Sequence, residues 1–233
     1  MFNPETIYHK RAVGTDNEKI FRDILTPKNW DFQRFKKVLF IASLLETYPY
    51  FTPESIHFGA LRKIIDSIKK PTIEDGNERH RGCFINIKKE ELLAGKISLG
   101  NNESCIPNWD KPRDDGLYKR AIDIHSHPNS WHGVHFSGQD YLGFLSDKEL
   151  ISQIVSCGNV ELMALKSAST PDNQDGKTLE RKIDGLEKEF LGRNLSMDDL
   201  IKFQKMLCIE NGLSLYIASE ANRDLAEKVN LFS

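Results

Sequence analysis

The sequence has no excess of charge of either sign: 32 Lys and Arg stand against 34 Asp and Glu in 233 residues, a formal charge of −2. A phosphate footprint needs a surplus of cations, so nucleic-acid binding is not expected. Cysteine is scarce as well. Cys83, Cys105, Cys157 and Cys208 are widely spaced and form no C-x-x-C pair, which argues against a disulfide framework and for reduced thiols. No apolar run approaches the roughly 20 residues of a membrane helix; the longest, residues 38–45, is interrupted by Ser43. The opening Met1-Phe2-Asn3-Pro4 lacks the basic and apolar segments of a secretory signal, and a cytoplasmic location is the expectation. Internal repeats and low-complexity tracts are also missing. What remains, 39% apolar and 28% charged residues, is the composition of a chain that can bury a core. Its length suits one large domain, or one domain with an extension.

The apolar pattern alternates between helix and strand periods. Residues 16–25 and 31–46 read as helices, the second with Phe32, Phe35, Leu39, Ala42 and Leu45 near the 3.6-residue spacing. Thr52 and Pro53 look like the start of a third helix, continued by Ile56, Ala60, Ile64 and Ile68 as far as Pro71. From 81 to 88 the period becomes two, with Cys83, Ile85 and Ile87 on one face, and 96–99 reads as its partner strand. The stretch 100–117, rich in Asn, Pro, Asp and Gly, is a long loop. A strand over 119–127, a short helix over 137–145 and two strands within 151–168 turning at Gly158-Asn159 follow. Helices over 176–191 and 197–211 and a strand over 213–218 complete a mixed α/β (α+β) order.

Histidine is where the information concentrates. Four of the seven fall within eleven residues: His125, His127, His132 and His135. On a strand, alternate side chains share a face about 6–7 Å apart, so His125 and His127 can aim both imidazoles at one ion. Pro128 ends the strand. Ser137 then sits where a helix would begin, and Asp140 lies on the same edge of its first turn, at the positive end of the helix dipole. Two neutral nitrogens, one carboxylate and an open fourth position describe a catalytic zinc site. Ser137-x-x-Asp140 is also a capping box, a device that many helices use without chemistry.

His125-Ser126-His127-Pro128 followed by Ser137-x-x-Asp140 resembles the JAMM signature of MPN-domain (JAB-type) metalloproteases. The resemblance covers roughly residues 51–168. It implies an MPN/cytidine-deaminase-like mixed sheet flanked by helices, one catalytic Zn²⁺ held by His125, His127 and Asp140, and hydrolysis of a peptide or isopeptide bond after the C-terminus of ubiquitin or a ubiquitin-like protein. It also implies a catalytic Glu at the start of the first strand. Glu78 fits, with Glu74 as the alternative; this residue would act as general acid and base, and Ser137 would donate to the oxyanion. On this reading residues 1–50 form an N-terminal helical extension. Residues 51–233 form the hydrolase domain, with its core at 51–168 and C-terminal elements at 176–233.

Three departures from the family pattern stand out. Nine residues rather than seven separate His127 from Ser137, and among them His132 and His135 could flank a substrate groove or replace Asp140 as ligand. Gly82 is four residues after Glu78, where the family places a glycine three after. Asp123 shares a face with His125 where the family is apolar, and can orient that histidine as an acceptor behind the metal. Two other functions compete: a catalytically inactive MPN scaffold that binds protein partners, and an amidohydrolase-type enzyme acting on small molecules, suggested by Asp123-x-His125-x-His127. The amidohydrolase barrel would need about 200 residues after that strand.

Overall fold

Alternation along residues 118–127 decides the architecture. Ile122 and Ile124 point to one side of the sheet and Asp123, His125 and His127 to the other, so each side must be covered by different material. The computed structural model describes residues 28–112, 117–128, 134–172, 175–190 and 196–232. Its elements run β1 (Asn29–Trp30), α1 (Phe32–Leu45), β2 (Ser55–His57), α2 (Leu61–Asp75), β3 (Arg79–Asn86), β4 (Glu91–Leu99), β5 (Tyr118–His127) and α3 (Gly138–Ser146). Then follow β6 (Ser152–Cys157), β7 (Val160–Lys166), α4 (Gly176–Phe190), α5 (Met197–Glu210), β8 (Leu213–Ala218) and β9 (Leu225–Lys228). The strands join in one mixed sheet of order β1-β2-β9-β8-β7-β6-β5-β3-β4.

Ile122 and Ile124 enter an apolar cluster with Phe35, Val38 and Leu39 of α1 and Leu61, Ile65 and Ile68 of α2. On the other face Val155 and Leu162 pack with Tyr141 and Phe144 of α3, Ile183 of α4 and Phe203 of α5. The α+β class therefore stands. An amidohydrolase barrel does not, because among the described strands only β1–β2 and β5–β6 pair in parallel. No helix of the described residues is long and apolar enough to cross a membrane.

The strands and helices from residue 79 to 218 agree in type with the reading from periodicity, with β4 longer than expected. The segment 52–71 does not. The spacing of Ile56, Ala60 and Ile64 imitates one helix, yet Ile56 belongs to β2, paired with Trp30 and Ala226. Gly59 turns the chain at φ +51° before α2 starts. The helix α2 also runs through Pro71 to Gly76, which closes it in the left-handed conformation with its N–H on the Thr72 carbonyl. An internal proline costs about 3 kcal/mol. Buried Ile65, Ile68 and Thr72 outweigh it, Thr72 through a 2.6 Å hydrogen bond between its hydroxyl and that of Ser126 on β5. The helix expected over 16–25 lies outside the described residues.

Candidate metal centre

The centre forms at the carboxyl end of β5, where the chain leaves a parallel pair of strands and crosses to α3, a position at which α/β sheets commonly hold ligands. Cys157, at the end of neighbouring β6, donates to the Pro128 carbonyl at 3.4 Å and anchors the chain just after His127. The two imidazoles stand side by side, ring centroids 5.0 Å apart. Asp140 approaches from the first turn of α3, with Oδ2 3.5 Å from His125 Nε2. One ligand atom from each of His125, His127 and Asp140 lies within 4.8 Å of the others. Among the described residues the buried His125 Nε2 has no hydrogen-bond partner, and it is an atom that a cation would satisfy.

The capping box delivers Asp140 to that place. Oδ2 accepts the Ser137 N–H at 2.7 Å and the Ser137 hydroxyl at 2.8 Å, while the Asp140 N–H donates back to Ser137 Oγ at 3.2 Å. The cap and the approach to His125 are therefore one arrangement, since the oxygen that closes the box also faces His125. Burial alone would raise the Asp140 pKa. The neighbouring His125 and His127 and the Ser137 hydroxyl outweigh it and hold the carboxylate well below its usual range.

Charge is arranged around His125. Burial would strip its proton, but Asp140 on one side and Asp123 on the other raise its pKa well above the ordinary value. In His127, burial and the charge of His125 push the pKa down to about 3, leaving a neutral imidazole. Asp123 Oδ1 lies 3.9 Å from His125 Nδ1 and 2.8 Å from His80 Nε2, the latter contact off the hydrogen-bonding axis. The Gln153 amide donates to its Oδ2 at 3.4 Å. Burial opposes the charge on Asp123, and the two histidines override it, leaving a pKa of about 2. Asp123 thus stands beside His125 on the face the strand alternation had suggested, at ion-pair distance and without a hydrogen bond between them.

Glu78 reaches the group from the position just before the opposite strand. β3 runs antiparallel to β5 with His80 opposite His125 and Arg79 opposite Ser126, so Glu78 falls level with His127. Its Oε1 is 3.8 Å from His127 Nε2. Its backbone is held on both sides, donating to the Asn101 carbonyl at 2.7 Å and accepting from the Gly100 N–H at 2.9 Å. Burial raises its pKa, with His125 opposing and Asp140 adding to the shift. Glu74 is exposed on the last turn of α2, with no contact to the centre among the described residues.

No protein-family model, curated protein or solved structure matches the chain. The chemistry of the centre therefore rests on its own residues. Three more of them emerge from the structure. His80, 1% exposed, shares a strand face with Glu78, and its position two residues later was the signal that could have found it. Gln153 was hidden in an apolar strand. Trp109, from the long loop, stands edge-on to His80 at 5.0 Å and to Phe84 at 5.9 Å, with the Arg120 guanidinium over its ring. His135 lies edge-on to His127, ring centroids 5.7 Å apart. His132 is outside the described residues.

Trp109 also accounts for Gly82. A Cβ there would sit 2.3 Å from the indole ring, and the β3–β4 register slips between Arg81 and Cys83. The glycine is thus required by the ring laid over it. Gly82→Ala is expected to cost about 1–3 kcal/mol as overpacking, which for a chain of this size lowers Tm by roughly 2–4 °C per kcal/mol. Thermal unfolding with tryptophan fluorescence checks both the loss and the displaced indole.

Proposed function

We propose that the protein is a zinc-dependent metallopeptidase or isopeptidase with an MPN-like core, hydrolysing a bond after the C-terminus of ubiquitin or a ubiquitin-like protein. The observation that carries this reading is the convergence of Glu78 from just before β3, His125 and His127 from β5 and Asp140 from α3 at one end of the sheet. Two imidazoles and one carboxylate suit Zn²⁺, and three protein donors leave a position free for substrate. When bound, zinc supplies the Lewis acidity that acidifies a water and polarises a scissile carbonyl.

The chain's own groups supply the rest. Glu78 is poised to take a proton at its carboxylate and return it to the leaving amine, a task that its raised pKa suits. Asp123, 3.9 Å from Nδ1, offers the imidazole of His125 a neighbouring negative charge. Ser137, whose hydroxyl proton points at Asp140, would turn it toward the oxygen on which charge develops.

The test is a panel of linear and isopeptide conjugates of ubiquitin and ubiquitin-like proteins, offered to protein with its zinc content measured. We expect one zinc per chain and cleavage after the C-terminal residue of at least one modifier. Ser137→Ala should lower kcat by about 10²–10³-fold and reduce stability by about 1 kcal/mol through loss of the cap. A zinc-loaded protein inert toward the whole panel would refute the substrate class, and a chain that takes up no zinc would remove the centre itself.

A further inference from the structure

The C-terminal helices carry neither a ligand nor a proton-transfer group, yet one side chain of α5 grips the corner on which the centre depends. Gln204 is 3% exposed and makes three hydrogen bonds to that corner. Its Oε1 accepts the Phe136 N–H at 3.2 Å and the Tyr141 hydroxyl at 3.1 Å, and its Nε2 donates to the Phe136 carbonyl at 2.8 Å. The Phe136 groups fix the orientation of the amide, since a flipped group would set a donor against its N–H and an acceptor against its carbonyl. Binding both the N–H and the C=O of one residue is what a neighbouring strand would do, and here a side chain does it.

Phe136 transmits the grip. Its ring is fully buried, edge-on to His125 at 6.1 Å and to Tyr141 at 5.3 Å. The next residue is Ser137, whose N–H and hydroxyl hold Asp140. One residue further, the Gly138 N–H donates to Glu187 of α4 at 3.1 Å, and the absence of a side chain at 138 is what admits that carboxylate, because a Cβ would stand 2.3 Å from it. A segment outside every strand is thereby braced from two helices.

We infer that Gln204 is a positioning residue of the metal centre, setting through Phe136 the placement of His125, Ser137 and Asp140 relative to one another. The inference rests on the reading of His125, His127 and Asp140 as ligands, and adds to it a reason for the C-terminal helices. It predicts that metal geometry, and not only stability, depends on a side chain that touches neither metal nor substrate.

The experiment compares Gln204→Met, which keeps the bulk and removes the hydrogen bonds, with Leu179→Ala, a buried α4 position in the same apolar cluster. Zinc affinity is measured by competition with a chromophoric chelator, ligand geometry by the visible absorption of the Co²⁺-substituted protein, and folding by circular dichroism and thermal unfolding. We expect Gln204→Met to weaken zinc binding about 10–100-fold and to alter the Co²⁺ bands. Leu179→Ala, although destabilised, should keep wild-type affinity and bands. Should Gln204→Met fail to fold, Gln204→Glu takes its place; it keeps the acceptor for Phe136 and Tyr141 and replaces the donor by an oxygen, charged when ionised, that faces the Phe136 carbonyl, and the same Co²⁺ readout applies. Wild-type affinity and bands in the folded Gln204 variant, or the same changes in Leu179→Ala, would overturn the inference. A wild-type protein that binds neither ion would overturn the ligand reading beneath it.

Discussion

Asp140→Ala is expected to abolish zinc binding and, with it, all turnover. Asp140 is the only anion in the three-residue donor set, and the cation would lose both a ligand and the charge that offsets its own. Loss of a group behind the ligands costs about 10–100-fold in affinity, so loss of the carboxylate itself should exceed that range. The same residue closes the capping box of α3, and removal of its carboxylate leaves the Ser137 N–H unpaired. Asp140→Asn separates the two roles, since its amide oxygen can still accept that N–H but carries no charge: stability should stay close to wild type while zinc is lost. His125→Ala should lose zinc in the same way. A protein in which Asp140→Ala keeps its zinc while His132→Ala loses it would show that the third ligand has been misassigned.

Zinc affinity should also depend on pH with a definite sign. His125 holds its proton well above the ordinary imidazole range because two carboxylates flank it, and a ligand nitrogen must be deprotonated. Binding therefore displaces a proton, and affinity rises with pH through neutrality. His127, already neutral down to about pH 3, contributes no such slope.

How much of this was legible beforehand depends on distance along the chain. His125, His127, Ser137 and Asp140 are set by strand alternation, one proline and a helix cap, all of which act within a few residues. Glu78 could be chosen only through a family resemblance, because what carries it to His127 is the antiparallel pairing of β3 with β5, a long-range event. Ile56 was misread for the same reason: its place in β2 depends on Ala226, and local spacing favours a helix. Gln204 and Trp109 carried no pattern of their own. One is a polar residue inside an amphipathic helix and the other an aromatic in a loop, and each takes its role from the surface it meets after folding. The C-terminal helices were read correctly as helices for just that reason, since α4 and α5 are defined by their own period and by the Ser196 cap, while the corner that they brace is not.

Glu78→Gln should leave zinc in place and remove most of the activity, a loss of about 10²–10⁴-fold in kcat, the range over which a positioned acid–base group contributes. The substitution is nearly isosteric, so the backbone bonds to Gly100 and Asn101 persist, and no ligand atom is touched. KM should therefore change little while kcat falls. The pH profile supplies the sharper readout. A general base must be ionised, and burial places the Glu78 pKa above its ordinary value, so wild-type kcat/KM should decline as pH falls through that raised pKa. In Glu78→Gln that limb should vanish from the residual rate, with any remaining acid loss tracking zinc release. Glu74→Gln, altering an exposed carboxylate on the last turn of α2, should match wild type in rate and profile. Equal turnover in Glu78→Gln and wild type, or a full rate loss in Glu74→Gln instead, would take the acid–base role away from Glu78 while leaving the metal ligands as assigned.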